Sequence, residues 1–140
     1  MRIYNGEGMI FGRLAARAAK EVLLGYEGKI INCEKVVISG DKTNTFAWAK
    51  QKRGRGGHPM RRQTHSRLPD RWVRRCIRGM LPWKQARGKE AFKRVMCYRG
   101  VPSEFASQEI ITIREASASK LPTLKYTTIG EVCRHLGGKV

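Results

Sequence analysis

Acidic side chains are scarce in this 140-residue sequence, which has 11 Asp and Glu residues against 29 Lys and Arg residues. The carboxylates lie far apart along the chain, and no D-x-D or D-x-E grouping occurs. A nuclease usually needs an acidic cluster that holds a metal ion. No Ser-His-Asp or Cys-His set stands out either. The sequence therefore predicts a protein that is not an enzyme, with no catalytic residues and no cofactor.

Long apolar runs and closely spaced cysteines are also missing. No stretch approaches the roughly 18 apolar residues of a transmembrane helix, and residues 1–10 lack the features of a secretory signal. The four cysteines have no C-x-x-C spacing, and the three histidines are not placed to complete a zinc site. We therefore expect free thiols in a reducing cytoplasm, with no metal site and no membrane partner.

The positive charge is concentrated in the middle of the chain. Residues 50–99 contain 17 Lys and Arg residues but only two acidic residues, a net charge of +15, whereas the other 90 residues have a net charge of +3. Arginine dominates between positions 53 and 78, and its planar guanidinium pairs bidentately with phosphate. This distribution favours a nucleic-acid partner over a small-molecule substrate. An anionic membrane surface is the weaker alternative, because no helix combines a basic face with a broad exposed apolar face.

Short β-rich runs alternate with helical patterns along the chain. Apolar residues at four-residue steps predict a helix over 9–24, with Gly25 as its C-terminal cap. Thr128-x-x-Glu131 is a capping box that predicts a short final helix ending at Gly137-Gly138. The interleaving predicts a single α/β domain over 1–140 with a largely parallel sheet. The other predicted strands span 2–5, 29–33, 36–39 and 108–114, and the other predicted helices run from Asp41 or Thr43 to about Lys52, over 66–79, and from Lys84 or Gln85 to Met96.

The predicted helix at 66–79, with Ser66 as its expected cap, carries arginines along one side. At about 100° per residue, five arginines fall within an arc of about 100°, while Trp72 and other apolar residues occupy the opposite side. The arginine arc contains no Glu or Asp of its own, unlike a typical solvated face. We interpret this arc as a surface that binds RNA phosphates, and a solvated basic face is the alternative. Its members are Arg67, Arg71, Arg74, Arg75 and Arg78.

A Gly-rich basic loop at 53–63 precedes this helix. Glycines allow a backbone to approach a polyanion closely, and the neighbouring arginines neutralise it. A flexible surface linker is the alternative interpretation. Basic residues after the helix are expected to extend the same surface. The candidate RNA-binding residues outside the helix are therefore Arg53, Arg55, Arg61, Arg62, Lys84, Arg87 and Lys89.

The spacing of the glycines near the N-terminus is similar to that of a dinucleotide-binding fingerprint. Gly6 and Gly8 are followed by Gly12, however, which is one position later than G-x-G-x-x-G requires. Packing of the first helix is the better explanation of Gly12. A nucleotide-dependent enzyme remains the alternative from another functional class.

Four motifs, in order along the chain, resemble one known family. They are Gly12-Arg13-Leu14-Ala15, then 30–35 (I-I-N-C-E-K) with Ser39-Gly40, then 78–82 (R-G-M-L-P), and the tail at 126–134. Together they resemble the universal large-subunit ribosomal protein L-thirteen family in its archaeal form. Cys33 stands where the family usually has Ala, and residues 53–67 match only loosely.

The resemblance implies a three-layer α/β/α fold around a small, mostly parallel sheet. To this the charge distribution adds basic helical and loop extensions at about 50–99. It implies a structural role on large-subunit (23S) rRNA beside neighbouring large-subunit proteins in the cytoplasm, and a role in early subunit assembly and translation. It implies no catalytic activity and no small-molecule substrate. An RNA-binding regulator that acts off the ribosome shares the same chemistry and is the alternative.

Overall fold

The computed structural model describes residues 1–56, 58, 60 and 65–140. The predicted positions Arg61 and Arg62 lie outside these described residues. The strands are β1 (Arg2–Asn5), β2 (Gly28–Ile31), β3 (Val37–Ser39), β4 (Val95–Cys97), β5 (Ile110–Ile111) and β6 (Tyr126–Thr128), and the helices are α1 (Phe11–Leu23), α2 (Lys42–Gly54), α3 (Pro69–Met80), α4 (Ala86–Lys93) and α5 (Ile129–His135).

The central sheet has four strands, all parallel, in the order β4-β2-β1-β5. In its centre Tyr4 pairs with Ile30, and Ile30 pairs with Cys97. A separate two-stranded sheet pairs β3 with β6 in antiparallel orientation. The prediction of a largely parallel sheet is therefore confirmed. None of the helices in the described part of the chain is long and apolar enough to span a membrane.

Both faces of the central sheet are covered, as expected for parallel strands. Tyr4 and Ile30 point to one face, where they join a core formed by α1, α3 and α4. Ile3 and Ile31 point to the opposite face and pack with Phe105, the last residue of a short 3-10 helix (Ser103–Phe105). The predicted α/β class and its layered arrangement are confirmed. The consecutive apolar pair Ile30-Ile31 is explained by this double burial, because neighbouring strand residues face opposite sides.

Helix α1 confirms the periodicity seen in the sequence. Leu14, Ala18 and Val22 are fully buried on the side that faces the sheet. The helix ends where Gly25 adopts a φ of 101°, a left-handed conformation that glycine tolerates best. The final helix α5 is confirmed too, because Thr128 and Glu131 form both hydrogen bonds of a capping box.

Helix α3 begins later than the sequence predicts. Its N-cap is Leu68, and Pro69 occupies the first turn, where the absent N–H of proline has no cost. Ser66 is therefore not the cap; its hydroxyl accepts a hydrogen bond from the Leu68 backbone in the preceding turn. Arg67 consequently lies before the helix, so the prediction that it belongs to the helical row is wrong. The helix also continues through Gly79 to Met80.

The predicted helix from Lys84 or Gln85 to Met96 is too long. Helix α4 covers only Ala86–Lys93, and β4 follows at once. Val95 and Cys97 are buried while Met96 is half-buried, which is the alternation of a strand. The predicted strand at 108–114 shrinks to β5, two residues long.

Gly6, not Gly12, is the glycine that permits close packing near the N-terminus. A Cβ on Gly6 would lie 2.6 Å from Val36 Cγ2 and 2.8 Å from the carbonyl oxygen of Ile31. A Cβ on Gly12 would meet no atom within 4 Å, so the packing explanation of Gly12 is wrong. The glycine at position 6 lets the turn after β1 pass against β2 and the segment that leads into β3.

We predict that Gly6→Ala destabilises the protein by about 1–3 kcal/mol, because the added methyl group has no space. The matched control is Gly12→Ala, at an exposed helical position, where stability should be unchanged or rise by up to about 1 kcal/mol. Urea unfolding of the two variants beside the parent chain measures both effects. Equal stability of the two variants would contradict the packing argument.

A buried carboxylate ties β1 to α1. Glu21 is 5% exposed and accepts a hydrogen bond from the Tyr4 hydroxyl. Its oxygens also lie 2.7 Å from Arg2 Nη1 and 2.7 Å from Arg17 Nε. Burial alone would raise the pKa of Glu21, but the hydrogen bonds from these three side chains outweigh it and lower the pKa below its ordinary value. The folded state therefore favours the ionised carboxylate.

We predict that the ionised Glu21 makes the free energy of unfolding decrease at acidic pH. Glu21 takes up a proton at about pH 4.3 in the unfolded chain and at a lower pH in the folded chain. Its contribution to the free energy of unfolding is therefore complete above about pH 5 and is lost as the pH falls through the folded pKa. Glu21→Gln should cost about 1–3 kcal/mol at pH 7. The stability difference from the parent chain should narrow toward pH 3. Urea unfolding from pH 3 to pH 7 tests this, and a constant difference over that range would refute it.

Candidate nucleic-acid interface

The structure brings most of the predicted site residues onto two neighbouring helices and their flanks. The side chains of α3 and α4 meet where Arg74 lies over the ring of Phe92, with 4.6 Å between the guanidinium carbon and the ring centroid. We call the cationic residues of this region the basic surface. It comprises Arg67 before α3, Arg71, Arg74, Arg75 and Arg78 on α3, Lys84 in the turn that follows, and Arg87 and Lys89 on α4.

Carboxylates compensate very little of this charge. Of the five ion pairs among the described residues, four join partners outside 50–99. The fifth places Arg99 Nε 4.0 Å from Asp70 Oδ1, at the limit of an ion pair. Arg71, Arg87 and Lys89 are exposed, and no carboxylate in the described part of the chain pairs with them. The basic surface therefore keeps its positive charge.

Aromatic rings position two of the α3 arginines. Besides the contact between Arg74 and Phe92, the guanidinium carbon of Arg78 lies 5.0 Å from the centroid of the Trp83 ring. Trp83 and Phe92 pack edge to face, with 5.0 Å between their centroids. Arg74 and Arg78 are therefore half-buried, and the row is less evenly exposed than a helical wheel suggests. A cation over an aromatic face keeps its charge while its side chain loses freedom.

Two further candidates serve the fold in part. Arg53, at the end of α2, donates a hydrogen bond to the carbonyl oxygen of His65 at 2.5 Å. Arg67 donates to the carbonyl oxygen of Gly137 at 3.4 Å. Arg55, the residue that caps α2, is exposed. Arg53 thus connects the two ends of the basic loop, and Arg67 connects the start of α3 to the C-terminal segment.

A groove between α2 and α3 adjoins the basic surface. It encloses a cavity of about 500 Å³ whose lining includes Trp48 and Lys52 from α2 and Arg75 and Arg78 from α3, with His65 between the helices. We call it the α2–α3 groove. The sequence indicates Trp48, with Trp72 and Trp83, as a candidate ring for stacking on a base, but it does not indicate Lys52. The four-residue spacing of Trp48 and Lys52, which places both on one side of a helix, is the signal that indicates Lys52.

The groove has a positive potential. Burial lowers the pKa of His65 below its ordinary value, and the nearby charges of Arg75, Lys52 and Arg53 lower it further. Burial likewise lowers the pKa of Arg78, with a contribution from Arg75. Crowded like charges of this kind favour a bound anion, which would relieve their repulsion.

Within the described part of the chain, no group of three or more His, Cys, Asp or Glu side chains is placed to hold a metal ion. Gly6, the first glycine of the fingerprint-like spacing, serves the packing of a turn, as the 2.6 Å approach to Val36 Cγ2 shows. The four cysteines are free thiols, as expected.

Comparison with known proteins agrees with this geometry. Residues 1–104 match the family model described as Ribosomal protein L13. The chain is 42% identical to the large ribosomal subunit protein uL13 of Methanococcoides burtonii, and the match covers 99% of each chain. The proteins of the same name from Methanosarcina barkeri and Methanocaldococcus jannaschii are 42% and 41% identical, again over 99% of each chain.

A basic α/β molecule with these relatives is a ribosomal protein, structural and not enzymatic. The chain belongs to the ribosomal protein L13 family. The resemblance carried by the sequence motifs is thereby confirmed.

We predict that His65 titrates below its ordinary value of about 6.5, with the pKa measured by NMR as a function of pH. Arg75→Gln removes one nearby cation and should therefore raise the pKa of His65. The pKa should still stay below its ordinary value, because the side chain remains partly buried. Lys20→Gln, a charge change on the outer side of α1, is the control and should leave the pKa of His65 unchanged. A His65 that titrates at or above about 6.5 in the parent chain would contradict the positive potential of the groove.

Proposed function

We propose that this chain is a structural constituent of the large ribosomal subunit that binds large-subunit (23S) rRNA and supports subunit assembly and translation. The observation that carries the proposal is the net charge of +15 over residues 50–99, which the carboxylates leave almost uncompensated. The printed names of the relatives support the same subunit. In this proposal the chain acts as a single domain in cytoplasmic ribosomes, beside neighbouring large-subunit proteins.

The proposed mechanism is docking on the RNA backbone. An A-form helix hides its base edges in a deep, narrow groove, so arginines meet its phosphates and its shape. The sheet and its apolar helices act as a rigid support that holds the basic surface in place. The proposed contacts are Arg67, Arg71, Arg74, Arg75, Arg78, Lys84, Arg87 and Lys89, together with Arg53 at the end of α2 and Arg55, Arg61 and Arg62 after it. By neutralising phosphates that repel one another, these side chains would hold RNA segments together.

Salt dependence tests the electrostatic docking. With about six phosphates engaged, the logarithm of the association constant for purified large-subunit rRNA should fall with the logarithm of salt concentration at a slope of about −4 to −5. Replacing Arg71, Arg87 and Lys89 together by Gln should reduce the magnitude of that slope by about 2–3. These three side chains are exposed, so the fold should be unaffected. Filter binding from 50 to 500 mM salt measures both quantities.

The control variant loses the same number of positive charges at positions outside the basic surface. Lys20, Arg114 and Lys120 are exposed and lie outside the basic segment, so their joint replacement by Gln should change the slope little. The proposal would be refuted by a salt-dependence slope near zero for the parent chain. It would also be refuted if both triple variants changed that slope by the same amount. Sucrose-gradient sedimentation of cell extract separates a ribosomal constituent, which travels with large subunits, from a free RNA-binding regulator.

A further inference from the structure

Trp48 is the feature of the α2–α3 groove that phosphate binding leaves unexplained. Its side chain is 47% exposed, although tryptophan is usually buried to a high degree. Helix α2 buries only Ala49 among its residues, so Trp48 is not needed to pack the helix onto the core. Lys52, one turn later, holds its Nζ 4.4 Å from the centroid of the Trp48 ring. The ammonium therefore lies over one face of the indole, so a ligand base would stack on the opposite face.

The space beside Trp48 continues into a second cavity. That cavity of about 530 Å³ is lined mainly by apolar atoms of residues such as Phe11, Ile38 and Val132. Trp48 and Trp72 line both cavities, which therefore adjoin. Each volume lies within the usual range of small-ligand sites, roughly 300–1,000 Å³.

The charged side chains that line the groove indicate a ligand with a negative charge. None of the described residues that line the first cavity is acidic, whereas Lys52, Arg75 and Arg78 are cationic. The ligand that fits has an anionic group for these cations and a flat, weakly polar group for the indole. A nucleotide has both, in its phosphate and its base.

We propose that the α2–α3 groove binds one unpaired nucleotide of RNA, with its base on Trp48 and its phosphate at Lys52 and Arg75. The nucleotide must be unpaired, because a base inside an A-form helix is covered on both faces by its neighbours. The inference rests on the proposed binding of rRNA and adds to it a site for a base, where the basic surface supplies sites for phosphates only. Stacking of this kind accepts any base, so the groove selects RNA structure and not sequence.

The test compares two RNAs that carry the same phosphates. One is a ten-nucleotide chain of uridines, and the other has the same backbone with every base replaced by hydrogen. The parent chain should bind the uridine RNA about 10-fold more tightly, which is the usual effect of stacking one base on an aromatic side chain. Trp48→Ala should abolish most of this preference, and Trp48→Phe should retain it. Fluorescence anisotropy at one fixed salt concentration measures the affinities.

Two controls separate stacking from charge and from loss of structure. Lys52→Gln should weaken the binding of both RNAs by a similar factor and leave their ratio unchanged. Tyr126→Ala removes an aromatic side chain of the same exposure, 46%, from β6, outside the basic surface, and should change neither affinity. Circular dichroism and thermal unfolding confirm that each variant is folded.

The outcomes distinguish this inference from the proposed function. If the parent chain binds both RNAs equally, or if Trp48→Ala keeps the preference, the site for a base is refuted while phosphate docking stands. If the parent chain binds neither RNA and large-subunit rRNA shows no salt-dependent binding, both proposals fail together.

Discussion

Repulsion within the basic segment is the constraint on which the arrangement of this protein depends. Residues 50–99 have a net charge of +15, and only Asp70 and Glu90 within them carry negative charge. This segment must nevertheless fold onto an uncharged core. The structure uses aromatic rings and backbone carbonyl groups where other proteins use carboxylates. Arg74 and Arg78 lie over Phe92 and Trp83, and Arg53 reaches the carbonyl oxygen of His65. Because these partners bear no net charge, the guanidinium groups are held in place and keep their positive charge.

The parts of the fold that sequence analysis predicted are those with a strong local signal. Helix α1 repeats its apolar residues over more than three turns, and the capping box at Thr128 needs only four residues to be recognised. The charge distribution likewise located the basic surface without any knowledge of the fold. In these cases the residues that create the signal are close together in the sequence, so short-range physics is sufficient.

The features that were missed depend on residues far apart in the sequence. β4 has three residues, too few to show a period, and it exists because β2 pairs with it. The start of α3 is the exception, a local error: Ser66 is a good capping residue, but Pro69 in the first turn sets the actual boundary. Trp48 was indicated as a ring for base stacking, but its position beside Arg75 and Arg78 was not predicted, because these two residues come from another helix. Such tertiary contacts override local preference, and no single window of sequence contains them.

The pairing of β2 with β4 has a topological consequence for the cationic segment. The chain leaves the central sheet at Ile31 and returns to it at Val95, so everything between is one long crossover whose two ends are fixed on adjacent strands. Neighbouring strands lie about 4.8 Å apart. The length of the segment between these strands therefore does not set the strand register. The same segment packs back on the sheet through Val73 and Ile77 of α3, so the most cationic stretch of the chain is anchored by the core on which it lies.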